Sequence, residues 1–193
     1  VANDKAGRAA LVKDEINFVL AREADASVVL DAIAAGEVPI RVTHNDTKLN
    51  NVLLDAKTGE GVCVIDLDTV MPGSLLYDYG DALRFGASSG AEDEVDLDKI
   101  YFDLELFEAF TKGFLGEVRD KLTPTEIELL PFSAKLLTYE CGMRFLGDYL
   151  SGDTYFKIHR EHHNLDRART QFKLVADIET KLEDMKKIVA KYI

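Results

Sequence analysis

The stretch Thr43-His44-Asn45-Asp46-Thr47-Lys48-Leu49-Asn50-Asn51 gathers polar and ionisable groups between two apolar runs, the placement of a loop held by sheet. Further along, Ile65-Asp66-Leu67-Asp68 sets two carboxylates at the end of a third apolar run. With the second and third runs paired as a hairpin, Asn51 at the start of one strand neighbours Asp66 at the end of its partner. An amide oxygen beside one or two carboxylates is the hard-oxygen donor set that Mg2+ takes, so Asn51, Asp66 and Asp68 are the candidate metal ligands. Asp46, just before the amide ligand, is placed to act as a base, and Lys48 beside it to neutralise charge. A metal, a base and a cation are the parts of phosphoryl transfer. A lone Asp-x-Asp or His-x-Asp is commonly a solvated turn; order and spacing carry this reading.

The elements that position these groups are legible in outline. Ala9, Val12, Ile16 and Val19 or Leu20 recur at helical spacing between Ala6 and Leu20, and Ser27-Val28-Val29-Leu30 opens a second short helix that Gly36 ends. Pro39 to Thr43, Asn51 to Asp55 and Val62 to Asp66 read as short strands, the last two joined through a turn containing Gly59 and Gly61. After Met71-Pro72-Gly73 the chain is expected to be helical, with a loop around Gly86 to Asp98. Leu104 to Val118 reads as one helix. Thr123-Pro124-Thr125-Glu126 combines an N-cap, Pro at the first helical position and Glu three residues on, announcing a helix toward Leu150 with Pro131 as a kink. Phe172, Val175, Ile178, Leu182, Met185 and Val189 mark the buried stripe of a last helix over Leu165 to Tyr192. The expected fold is one unit, mainly α with a small β-hairpin.

Composition excludes several function classes. The formal charge of −12 on 193 residues repels nucleic-acid phosphates and anionic lipid, and no apolar run reaches the length of a membrane span. Cys63 and Cys141 lie in apolar contexts without a Cys or His cluster, which predicts two reduced, buried thiols. The first residues lack a basic start and an apolar signal core, which points to the cytoplasm. A chain that opens on Val1 without a Met reads as a piece of something longer.

The joint pattern His-x-Asp-x-Lys-x-x-Asn followed by Ile-Asp resembles the catalytic loop and metal-binding Asp shared by protein kinases and the aminoglycoside phosphotransferase and choline kinase superfamily. That resemblance implies a kinase-like C-terminal lobe. It makes Asp46 the base that accepts the acceptor hydroxyl proton, and Asn51 and Asp66 the Mg2+ ligands. Asp68, where protein kinases have Gly, would assist a second ion. Lys48 falls where protein kinases neutralise the γ-phosphate of ATP, and His44 braces the loop. Asp78 and Asp81 match the Asp-x-x-Asp that follows the metal site, read as helix capping and bracing of the loop.

Within the superfamily, His44 to Asn51, Val64 to Gly73, Tyr77 to Gly86, Tyr139 to Leu146 and Tyr155 to Arg160 resemble the N-acetylhexosamine kinase branch. The implied reaction moves the γ-phosphoryl of Mg-ATP to the anomeric hydroxyl of N-acetylglucosamine or N-acetylgalactosamine. Nothing before Ile40 offers the glycine-containing β segment of an ATP-cradling lobe, so residues 1–193 are read as the C-terminal lobe alone, inactive by itself, with its own N-terminal lobe as partner. Arg84, Arg144, His159 and Arg160 are cationic or polar groups embedded in apolar sequence, which is costly unless they pair or bind something. Together with His44 and Tyr155, the three arginines are candidates for substrate contact. An aminoglycoside or choline-like acceptor, or a non-catalytic binding lobe, is the alternative.

Overall fold

The computed structural model describes residues 4–193. Two short helices, α1 (Lys13–Leu20) and α2 (Val28–Ala34), flank a 3-10 turn at Glu23–Ser27. Four strands follow: β1 (Arg41–Thr43), β2 (Val52–Leu54), β3 (Gly61–Val64) and β4 (Met71–Gly73). Four helices complete the chain, α3 (Leu75–Gly86), α4 (Leu104–Val118), α5 (Pro124–Ser151) and α6 (His163–Ala190). The architecture is mainly α with little β, as composition and pattern indicate. None of its described helices is long and apolar enough to cross a membrane.

The strands form two antiparallel ribbons, β2–β3 nested in the chain between β1 and β4, where the sequence predicts a single small hairpin. β2 pairs with β3 around a turn in which Asp55 Oδ1 accepts from the backbone N–H groups of Lys57 and Thr58, both at 2.8 Å, and Gly59 takes φ 72°. β1 pairs with β4 outside it, Arg41 opposite Gly73 and Thr43 opposite Met71. The sequence reading misses β4, because three residues containing a Pro carry no strand periodicity and their partner lies far back in the chain. Cys63 is exposed, contrary to its apolar context, since all of β3 is exposed and the inner ribbon covers no core.

Helix α5 begins where the sequence says. The Thr123 hydroxyl accepts from Glu126 N, and the Glu126 carboxylate accepts from Thr123 N at 2.8 Å, closing a capping box. The helix runs to Ser151 without interruption at Pro131, whose ring is buried in the core, so the kink expected there is not a break. Gly142 meets the Phe172 ring and Lys135 pairs with Glu179, so α5 and α6 lie antiparallel, and one core extends from them over α3 and α4. Lys135, with a side chain only 10% exposed, sits between Asp25 at 2.8 Å and Glu179 at 3.0 Å. Arg22 adds a bidentate pair to the same Glu179. This network fastens the Glu23–Ser27 turn to the α5–α6 pair.

The strands are fastened to α5 through Arg41, whose guanidinium takes both oxygens of the fully buried Glu126, at 2.8 and 2.7 Å. Burial works against the charged form of Glu126, but Arg41 and the Thr123 N–H outweigh it and hold the carboxyl below the usual range. A carboxyl depressed in this way stabilises the fold fully above its unfolded pKa, and the contribution is lost as pH falls through the lower folded value. Arg41→Ala is therefore expected to lower stability at neutral pH by about 2 kcal/mol, less than for a fully enclosed pair because Thr123 N still serves the carboxylate. Urea titrations between about pH 7 and about pH 3 should show the variant losing less stability on acidification than the parent. Equal acid sensitivity in the two would contradict this assignment.

Candidate active site

Between β1 and β2 the chain makes the loop predicted to carry chemistry, ending in a 3-10 turn at Leu49–Asn51; between β3 and β4 it makes the second, with a 3-10 turn at Leu67–Thr69. Asn45 and Asp66 both adopt left-handed backbone, φ 64° and 62°, which costs a side-chain-bearing residue about 1 kcal/mol and is best tolerated by Asn and Asp. Neighbouring contacts hold the first of these. The Asp78 carboxylate, from the first turn of α3, accepts from the backbone N–H of His44 at 2.8 Å and of Asn45 at 2.7 Å, while Thr47 Oγ1 donates to the Asp78 carbonyl at 2.6 Å. Thr69 Oγ1 donates to the His44 carbonyl at 2.7 Å, and Asn45 Nδ2 donates to the Thr69 carbonyl at 3.0 Å, tying the two loops together.

The His44 ring completes the tie. Its Nδ1 accepts from Asp46 N at 3.3 Å and its Nε2 lies 3.0 Å from the Ile65 carbonyl, a pair of bonds that suits the tautomer with its proton on Nε2. One ring thus spans from the residue beside Asp66 to the backbone of Asp46.

Asp46 Oδ2 accepts from Lys48 Nζ at 2.8 Å and Asn51 Nδ2 at 2.9 Å, and the same Nδ2 reaches the Asp46 carbonyl at 2.8 Å. Oδ1 takes no bond among the described residues, so one carboxylate oxygen is held and the other is free. Burial acts to raise the carboxyl pKa, but the bonds from Lys48 and Asn51 and the Lys48 charge outweigh it and keep it below the usual range. Lys48 is raised in turn, first by its bond to Asp46 and further by the charges of Asp46, Asp66 and Asp81. Asp46 and Lys48 are both charged at neutral pH.

The backbone places Asn51 next to Asp66: Val52 pairs with Val64, and Ile65 N donates to the Asn51 carbonyl at 2.9 Å. Asn51 spends its N–H groups on Asp46, leaving its side-chain oxygen without a partner, and the exposed carboxylates of Asp66 and Asp68 make no hydrogen bond among the described residues. Asn51 and Asp66, neighbours through the strand pairing, offer oxygen donors of the kind Mg2+ takes, one or two carboxylates with water and phosphate completing the shell, while Asp68 lies two residues on in the Leu67–Thr69 turn. Among the described residues no three His, Cys, Asp or Glu side chains converge to hold a metal ion.

Asp46 lines a cleft of about 550 Å³. Asn45, Asp46, Asp81, Arg84, Glu140 and Arg144 supply its polar wall; Ala26, Leu30, Tyr77, Leu136, Leu137 and Met143 supply the rest. Arg84 is held between Asp81 and Glu92, each at 3.0 Å. Arg144 makes no ion pair among the described residues and stacks near Phe156, its guanidinium 5.4 Å from the ring centroid.

Of the candidates read from sequence, the structure brings together Asp46, Lys48, Asn51 and Asp66, and puts Arg84, Arg144 and Asp81 on the cleft. Asp78 and His44 stand behind the loop. Tyr155 is 76% exposed on an adjoining depression shared with Arg144. Arg160 is not in the cleft, being engaged by Asp93 and Asp166, because the segment before α6 turns it toward the loop after α3. Ala26, Leu30, Tyr77 and Glu140 join the cleft without a signal in the sequence that marks them as site residues. Glu140 stands one helical turn before Arg144, a spacing that puts both on one face of α5.

These loops and the helix that braces them lie within residues 1–110, more than half of the chain, which match the model of the phosphotransferase enzyme family APH. The chain belongs to that phosphotransferase family.

Proposed function

We propose that this chain is the acceptor-side lobe of a two-lobe ATP-dependent kinase that phosphorylates a sugar hydroxyl, the anomeric hydroxyl of an N-acetylhexosamine. The observation that carries the reading is Asp46, with Oδ2 held by Lys48 and Asn51 and the residue itself set on the cleft wall. An acceptor hydroxyl seated there would give its proton to Oδ1 as the phosphoryl group arrives. Lys48, already charged, balances the negative charge that gathers near the base. Asn51, Asp66 and Asp68 would hold Mg2+, which when bound neutralises phosphate oxygens. The cleft's mixture of carboxylates, guanidiniums and an apolar side suits a neutral polyol carrying an apolar substituent.

The partner lobe would cover the ribbons, where Val42 is 82% exposed and Val62 66%, with Leu53, Leu54, Val64 and Met71 also open to solvent. Apolar side chains clustered at this density are a mark of an interface.

The test is product identification with Mg-ATP and the chain joined to its ATP-cradling lobe, offering N-acetylglucosamine, N-acetylgalactosamine, choline and kanamycin. A sugar 1-phosphate, identified by mass and 31P NMR, is the expected result. Phosphorylation of choline or kanamycin alone would overturn the acceptor class, and turnover of none of the four would overturn the kinase reading.

A further inference from the structure

Arg84 is nearly enclosed, with 12% of its side chain exposed, yet it lines the cleft. Its fork is partly committed: Nε donates to Asp81 Oδ1 and Nη1 to Glu92 Oε1, each at 3.0 Å, while Nη2 takes no hydrogen bond among the described residues. Asp81 is one turn away on the same helix. Glu92 comes from the irregular segment between α3 and α4, so its place is set by whatever holds that segment.

That segment is stapled residue by residue. Glu92 Oε2 lies 3.9 Å from Arg167 Nε, a buried nitrogen without a hydrogen bond of its own. Asp93 accepts from His163 Nε2 at 2.9 Å, and its carbonyl from Arg160 Nη2 at 3.1 Å. The Glu94 carbonyl accepts from Thr170 Oγ1 at 3.0 Å. Behind them, Ser88 bridges to Phe102, and Ser89 N and Oγ bond the carbonyls of Tyr101 and Lys99. Three successive residues are thus fastened to the first turns of α6 and its approach, and the first of them points at Arg84. A loop needing only to connect two helices would not require a carboxylate there.

We propose that Glu92 is a positioning residue of the acceptor site, fixing the plane of the Arg84 guanidinium so that its free Nη2 is presented to an acceptor oxygen. The inference rests on the cleft being the acceptor site. Arginine suits the task because its planar fork, anchored at two nitrogens, leaves the third with a defined direction. Glu92 acts only through Arg84.

The experiment uses the kinase with both lobes present, labelled with 15N at arginine, and compares the parent with Glu92→Ala, Glu92→Gln and Arg84→Ala. In the parent, the Arg84 Nη1–H resonance, assigned by its loss in Arg84→Ala, should be sharp and slow to exchange. In Glu92→Ala it should broaden and exchange faster, with the acceptor KM rising about tenfold, kcat within about twofold and the ATP KM unmoved. Glu92→Gln, which keeps the accepting oxygen, should restore most of both. An unchanged Nη1–H resonance in Glu92→Ala would overturn the proposal, as would a loosened resonance with an unaltered acceptor KM, or equal changes in the KM for acceptor and ATP. Retention of the parent's acceptor KM by Arg84→Ala would overturn it while leaving the kinase reading intact. A parent that phosphorylates no hydroxyl acceptor overturns both.

Discussion

Asp46→Asn leaves the chain folded and lowers kcat by about 1,000-fold, the range general-base catalysis supplies. The fold survives because the Asp46 side chain is 31% exposed and its neighbours do not depend on its charge for packing. An Asn at this position keeps the shape and an oxygen for the Asn51 bond, and it forfeits what chemistry needs, an atom able to take the acceptor proton. It also releases Lys48 from its ion pair, so residual activity would reflect positioning and charge alone. The checks are single-turnover kinetics, thermal unfolding and the ATP KM; the last two should match the parent. Turnover within about tenfold of the parent would remove Asp46 from the role of base.

Gly80→Ala is expected to cost about 3 kcal/mol, at the upper end of overpacking penalties. A Cβ added at Gly80 overlaps the Ser133 carbonyl oxygen and comes within 2.7 Å of its carbon. Both are backbone atoms of α5, so no rotamer change relieves the clash and α3 has to move. A chain of this size should then melt about 6 to 12 °C lower. Activity should fall by more than unfolding explains, measured well below the melting range, since α3 carries Asp78 behind the Asp46 loop and Asp81 and Arg84 on the cleft. Gly113→Ala in α4, where an added Cβ meets nothing within 4 Å, is the control and should be neutral or slightly stabilising. Equal behaviour of the two variants would show that α3 and α5 are not packed this closely.

Helix α5 was legible because Thr123 and Glu126 advertise its start by chemistry that acts within one turn. The Asp46 loop was legible for a similar reason, its residue types and spacing being dictated by the reaction. What stayed hidden depends on distant partners. Strand β4 exists because β1 comes back to it, and Pro72 hides the pattern. Ala26 and Leu30 reach the cleft because Lys135 pulls the Asp25 turn against α5, and an apolar helix near the start of the chain gives no sign of that. Cys63 misled because an apolar context implies burial only when something is there to bury it. Arg160, a candidate for substrate contact by sequence, is taken up instead by Asp93 and Asp166, which lie in a loop and a helix whose meeting no local signal foretells.

The nesting of β2–β3 inside β1–β4 makes residues 41–73 one long hairpin interrupted by an internal loop, like an unpaired stretch within a stem. Asp46 occupies one side of that interruption and Asp66 the other. Zipping the stem on both sides brings Asp46 and Asp66 into place in a single event, and strand register becomes the ruler that sets their separation. A slip of one residue would carry Asp66 about 3.3 Å along the strand and turn it to the opposite face. Length changes are therefore expected to be absorbed at the closed end, in residues 55–60, where the turn bonds within itself. The same change between Val64 and Met71 would be read out at once as a displaced carboxylate.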